Sequence, residues 1–226
     1  MLSANSFPLI YFISDGSITD ENFAERAPQF LKLVRAAVRA KISFVQIREK
    51  QLSAAQTFEL AARTAQLTNQ TETLLLVNDR ADIALAARAD GVQLAANSLS
   101  APVVRQNFGA NFIVGASCHS LAEITFARDA QADFATFSPI FATPSKTPYN
   151  LPPQGLEKLR ATCQAAAGFP IIALGGIDEN NYRRCFEAGA GGIAAIRFFS
   201  DDAVKIKTIA TEIHEFYDAR KSTPEN

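Results

Sequence analysis

Eight short apolar runs, separated by alanine-rich stretches of helical character, constrain the fold of this chain more than any other feature. The runs are Leu9 to Ser14, Phe44 to Arg48, Leu74 to Asp79, Gly91 to Leu94, Phe112 to Cys118, Phe134 to Ile140, Ile171 to Gly176 and Gly192 to Phe198. They are short, rich in β-branched and apolar residues and nearly continuous, which is the pattern of strands buried on both faces. Between them, Phe30 to Ala40, Ala54 to Leu67, Leu121 to Asp129 and Leu156 to Ala166 carry the Ala and Leu that favour helix, and Ala203 to Tyr217 closes the series. Strand and helix in strict alternation predict a parallel sheet of the α/β class. Eight such units in 226 residues fit a single closed (β/α)8 TIM barrel. An open doubly wound sheet is the alternative, and the GxGxxG or Walker loop that commonly accompanies it is not in the sequence.

With 48% hydrophobic residues, the chain can bury one sizeable core, so a single domain over residues 1–226 is expected, with a polar, disordered tail from Arg220 to Asn226. The 22 Lys and Arg against 23 Asp and Glu leave no basic excess for electrostatic capture of nucleic acid, so any basic site is local. Cys118, Cys163 and Cys185 form no CxxC pair, which fits reduced thiols. Neither a signal peptide nor an apolar run of about 18 residues is expected, which predicts a cytoplasmic chain without membrane attachment. The sequence is compatible with a homo-oligomer.

In a barrel of this kind, chemistry gathers at the carboxyl ends of the strands. The second run ends in Gln46-Ile47-Arg48-Glu49-Lys50, where alternation sends Gln46, Arg48 and Lys50 to one side, towards the barrel interior. Two cations and an amide there suit a phosphate or diphosphate, although solvated ion pairs with Glu49 would give the same pattern. The third run ends in Asn78-Asp79-Arg80. Asp79 is either a magnesium ligand or the N-cap of the next helix. The fifth ends in Ser117-Cys118-His119, where His119 is a proton carrier or a structural histidine. After the sixth come Thr143-Pro144-Ser145-Lys146, phosphate-binding residues or an ordinary proline turn. Gly175-Gly176 end the seventh run, and Ile196-Arg197 lie near the end of the eighth, where backbone amides and a guanidinium would form a second anion site. His214, beside Glu212 and Glu215 in the last helix, reads as surface or packing.

These strand ends resemble the thiamine-phosphate synthase and thiazole tautomerase superfamily from Leu9 to Phe199. The resemblance rests on Val45-Gln46-Ile47-Arg48-Glu49-Lys50, Asn78-Asp79-Arg80-Ala81-Asp82, Ala89-Asp90-Gly91-Val92-Gln93-Leu94, Gly115-Ala116-Ser117, Thr143-Pro144-Ser145-Lys146 and Ala173-Leu174-Gly175-Gly176-Ile177, in that order. It implies a synthase that joins a hydroxymethylpyrimidine diphosphate to a thiazole phosphate. The pyrimidine diphosphate would be held by Gln46 to Lys50, Asn78 and Ser117, with Mg2+ on Asp79. The thiazole phosphate would lie on Thr143, Pro144, Ser145, Gly176, Ile196 and Arg197, with Lys146 reaching the leaving group. One departure stands out: where the synthase pattern has an acidic residue that completes the metal site, this chain has Ser98. Ser98 and His119 resemble the tautomerase branch, in which a histidine moves a proton on a thiazole carboxylate phosphate without metal. Two alternatives to the synthase therefore remain, that isomerase and a non-catalytic thiamin-precursor binder or regulator.

Overall fold

The computed structural model describes residues 8–95, 97–143, 152–200 and 202–221. Strand and helix alternate as β1 (Leu9–Ile13), α1 (Phe23–Arg39), β2 (Phe44–Ile47), α2 (Ala54–Thr68), β3 (Leu74–Asn78), α3 (Ala81–Ala86), β4 (Gly91–Leu94) and α4 (Ala101–Phe108). The second half runs β5 (Ile113–Cys118), α5 (Leu121–Asp129), β6 (Phe134–Phe137), α6 (Gly155–Ala165), β7 (Ile171–Leu174), α7 (Tyr182–Glu187), β8 (Gly192–Ala195), α8 (Arg197–Ser200) and α9 (Ala203–Lys221). Each strand pairs in parallel with the next, and β8 returns to β1, closing the barrel. The open-sheet alternative is thereby excluded.

Side-chain alternation splits the core into two layers. Leu9, Tyr11, Ile13, Phe44, Leu76, Phe134, Ile172 and Ala194 fill the barrel interior. The opposite parity, including Ile10, Phe12, Val45, Ile47, Val77, Val92 and Val114, packs against the helices. Runs buried on both parities are what a parallel sheet wrapped by helices requires. In α1 the buried stripe is Phe23, Ala27, Phe30, Leu31, Val34 and Ala37, the spacing of one helical face.

Several boundaries differ from the sequence reading. Helix α1 begins at Phe23, well before Phe30, and continues through Pro28. Strand β6 stops at Phe137 because Pro139 has no N–H for the ladder. The eighth run ends as a strand at Ala195, and Phe198 lies on α8. The expected disordered tail begins too early: Arg220 and Lys221 belong to α9, which Phe216 and Tyr217 anchor by packing on Phe186. Residues 222–226 lie outside the described residues.

Candidate active site at the carboxyl ends of the strands

The barrel is plugged by three rings: Tyr11 lies 5.3 Å from Phe44 and 5.9 Å from Phe134, and Phe44 stacks on Phe134 at 5.1 Å. The phenol of Tyr11 is fully buried, and burial pushes its pKa well above the ordinary 10.0, so it serves as a neutral donor. It donates to Gln93 Oε1 at 3.2 Å, and Gln93 Nε2 donates to Ser117 Oγ at 3.0 Å. Gly115 makes room for this link, since a Cβ there would lie 2.4 Å from both Gln93 Oε1 and the Phe134 ring. Tyr11 and Gln93 were not among the candidate residues. The signal that could have found them is a polar group at inward parity in an apolar run.

On one side of the mouth a second chain of hydrogen bonds runs along the ends of β2, β3 and β4. Gln46 Nε2 donates to Asn78 Oδ1 at 3.0 Å, and Asn78 Nδ2 donates to Asp79 Oδ2 at 2.8 Å. Asp79 Oδ1 accepts from the Ala95 amide at 2.9 Å and from the Ser98 hydroxyl. Asp79 sits at φ 58°, a left-handed conformation that Asp tolerates better than most residues, and its carboxylate reaches the loop after β4. It does not cap α3, whose N-cap is Arg80 and has no side-chain cap bond. Ser98 thus touches the carboxylate that the resemblance assigns to metal.

Arg48 follows Gln46, half-buried, with its amide donating to Ser14 Oγ at 2.8 Å; Lys50 is exposed beyond it. Two members of the predicted run need correction. Ile47 packs in the outer layer. Glu49, 6% exposed, accepts from the amides of Gly16 at 3.1 Å and Ile18 at 2.8 Å. Desolvation raises its pKa above 4.5, against the opposing pull of Ser14 and those two amides. Both side chains point away from the interior by the same alternation that brings Gln46 inward. Glu49 braces the β1–α1 loop.

Across the mouth, Gly175 and Gly176 follow β7, and Gly176 has φ +67°. A Cβ on Gly176 would meet Ala142 O at 2.6 Å and Phe141 Cβ at 2.8 Å, so this close approach of two loops needs glycine. Asn181 Nδ2 holds the Gly176 carbonyl at 2.9 Å. The exposed Arg197 reaches Thr143 Oγ1 at 3.5 Å, joining the β8 end to the loop after β6. Ile196 packs on the inner cluster. Pro144, Ser145 and Lys146 lie outside the described residues.

His119 is half-buried at the end of β5. Its Nδ1 lies 2.6 Å from the Ser138 carbonyl oxygen; a carbonyl only accepts, so Nδ1 carries the proton in this contact and Nε2 has the lone pair in the neutral ring. The neighbouring Cys118 points into the outer layer, and burial, reinforced by Glu123, pushes its thiol up to about 12. It is no nucleophile. Cys163 and Cys185 are likewise free, with burial pushing each to about 12. His214 lies on α9, and desolvation lowers its pKa, in keeping with a packing role.

Among the described residues no three His, Cys, Asp or Glu side chains converge as a metal cluster. The oxygen donors around Asp79 still suit a hard cation, because magnesium commonly uses one or two carboxylates and takes further ligands from substrate phosphate. No helix among the described residues is long and apolar enough to cross a membrane.

The family described as thiamine monophosphate synthase matches residues 10–199. A thiamine-phosphate synthase of Moorella thermoacetica is 40% identical over 166 residues, covering 74% of this chain and 78% of the relative. That of Syntrophomonas wolfei is 36% identical over 193 residues, covering 85% and 88%. The chain belongs to the thiamine-phosphate synthase family. The fold agrees: a solved structure named thiamine phosphate pyrophosphorylase from Pyrococcus furiosus superposes with a TM-score of 0.75 at 27% identity, over 92% of this chain and 96% of that one. These names are those of the transferase and give the isomerase alternative no support.

Proposed function

We propose that this chain is a thiamine-phosphate synthase, a transferase that joins hydroxymethylpyrimidine diphosphate to thiazole phosphate and releases pyrophosphate. The observation that carries the reading is the facing of two polar sets across one barrel mouth. On one side Gln46, Asn78 and Asp79 are linked in a hydrogen-bonded row, and on the other Gly176, Thr143 and Arg197 gather at the ends of β7 and β8.

In this reading Arg48, Lys50 and Asn78 hold the diphosphate, and Gln46 and Ser117 face the pyrimidine from the inner wall. Gly176, Thr143, Ser145 and the backbone at Ile196 and Arg197 hold the thiazole phosphate. The C–O bond at the pyrimidine methylene breaks with its electron pair leaving on pyrophosphate. The resulting cation is delocalised into the ring, and the thiazole nitrogen closes the new C–N bond with its lone pair. Lys146 offsets charge on the departing group, and the two cradles align the partners. Asp79 would hold magnesium together with the diphosphate oxygens, an ion that supplies further neutralisation of the leaving group. Ser98 leaves Asp79 as the single carboxylate at this point, so magnesium would be bound chiefly through the diphosphate. The three thiols without disulfides are in keeping with a cytoplasmic setting.

The test is an assay of purified protein with both phosphorylated precursors and magnesium, following thiamin phosphate and pyrophosphate. Equimolar formation of the two products is expected. Binding of both precursors without product would overturn the reading in favour of a non-catalytic binder.

A further inference from the structure

The inner wall carries one polar group that the roles above do not use. Thr136 is the inward residue of β6, paired in register with Ser117 on one side and Ile172 on the other. It is 1% exposed, and its Oγ1 has no hydrogen-bond partner among the described residues. Its counterparts on alternate strands behave differently. Gln46 and Gln93, equally buried, are bonded to Asn78 and to Tyr11 and Ser117. On helix α2, by contrast, the buried Thr57 and Thr64 return their hydroxyls to the Ser53 and Leu60 carbonyls, each at 2.8 Å. The other unpartnered buried side-chain atoms, on Gln56, Thr73, Tyr182 and His214, lie outside the barrel interior.

Burying a hydroxyl without a partner costs stability that a valine of the same shape would not. A group retained at that cost on the wall of a binding mouth finds its partner in the ligand. The surroundings select which ligand. Among the described residues the neighbours in register with Thr136 are uncharged, Ser117 on one side and apolar Ile172 on the other, so a phosphate would be poorly served there. An uncharged heterocycle with polar ring atoms fits, because a hydroxyl can donate to a ring nitrogen or accept from an exocyclic amine.

We propose that Thr136 is a specificity-determining residue that hydrogen-bonds the polar edge of the pyrimidine ring, beside Ser117 and Gln46. This rests on the synthase reading and adds to it a residue that recognises the heterocycle and not its diphosphate.

The experiment compares wild type, Thr136→Val and Thr136→Ser by calorimetric binding of hydroxymethylpyrimidine diphosphate and of inorganic pyrophosphate, with thermal unfolding alongside. Loss of one neutral hydrogen bond should weaken the pyrimidine diphosphate about 2- to 12-fold in Thr136→Val. Pyrophosphate binding should be unchanged, the unfolding midpoint unchanged or higher, and Thr136→Ser close to wild type. An unaltered affinity for the pyrimidine diphosphate overturns the proposal, as does an equal loss for pyrophosphate. A lowered midpoint in Thr136→Val also overturns it, since the hydroxyl would then serve the fold. Turnover by wild type with unchanged binding in Thr136→Val defeats this inference alone; no turnover, with binding sensitive to Thr136→Val, defeats the synthase reading alone.

Discussion

Replacing Glu49 separates its role as a brace from the ligand-binding role that the run Gln46 to Lys50 implies. The Glu49 carboxylate accepts two amides of the β1–α1 loop, that of Ile18 buried and that of Gly16 partly so. Glu49→Ala strands both. The Ile18 amide loses its partner at close to full cost and the Gly16 amide at less, together about 2–4 kcal/mol. For a domain of this size that lowers the unfolding midpoint on the order of 10 °C. Glu49→Gln keeps one acceptor and turns an NH2 towards the other amide, so about half the loss is expected. The two side chains also differ in pH response. Burial raises the Glu49 pKa from its ordinary 4.5, so the folded state takes up this proton at higher pH than the unfolded chain. The stability tied to protonation is fully present below 4.5 and is lost as pH rises from there through the raised folded value. The midpoint of wild type should therefore exceed that of Glu49→Gln by most near pH 4.5, and the gap should narrow as pH rises. Circular dichroism melts of the three proteins between pH 4.5 and 8 measure both effects. A Glu49→Ala midpoint within about 2 °C of wild type would refute the brace, because two such amides cannot be stranded at so small a cost. A gap that widens with pH would refute the electrostatic part.

Arg48→Ala and Lys50→Ala should each raise the KM for the pyrimidine diphosphate about tenfold or more, as loss of a charge-assisted contact requires, with little change for the thiazole phosphate; equal effects on both substrates would sink this assignment. Ser98→Asp should increase magnesium affinity, read by calorimetry in the presence of pyrophosphate, since it adds a second carboxylate beside Asp79. No gain would remove Ser98 from the surroundings of the metal. Lys146→Ala should lower kcat roughly a hundredfold, by analogy with other single transition-state donors, while His119→Ala keeps most thiamin phosphate formation; the opposite ranking would contradict a synthase in which pyrophosphate departs without proton transfer.

The barrel could be read from the sequence because a parallel sheet buried on both faces leaves a mark on every strand, and all eight runs carry it. The same period of two already contained the correct reading of Gln46 to Lys50. Applied residue by residue it turns Ile47 and Glu49 outward; taking the run as one binding segment lost that information. The start of helix α1 is obscured in sequence because Pro28 interrupts its pattern; Asn22, a residue type that often caps helices, makes no cap bond there, its side chain being engaged with Thr19 and Ser17. What the sequence could not carry is contact between residues far apart along it. Ser98 reads as a missing aspartate, yet its hydroxyl lies on Asp79, 19 residues earlier, so the substitution trades a negative charge for a neutral donor to the remaining one. The Tyr11–Gln93–Ser117 link spans 82 and 24 residues, and its first bond joins β1 to β4, strands that are not sequence neighbours. Thr136 is the limiting case. A threonine in a strand is ordinary, and only the closed barrel reveals that its hydroxyl is buried beside Ser117 with no protein partner among the described residues. The strand ends of a barrel are thus predictable in sequence as places where chemistry gathers, whereas the partner of each polar group there is a property of closure.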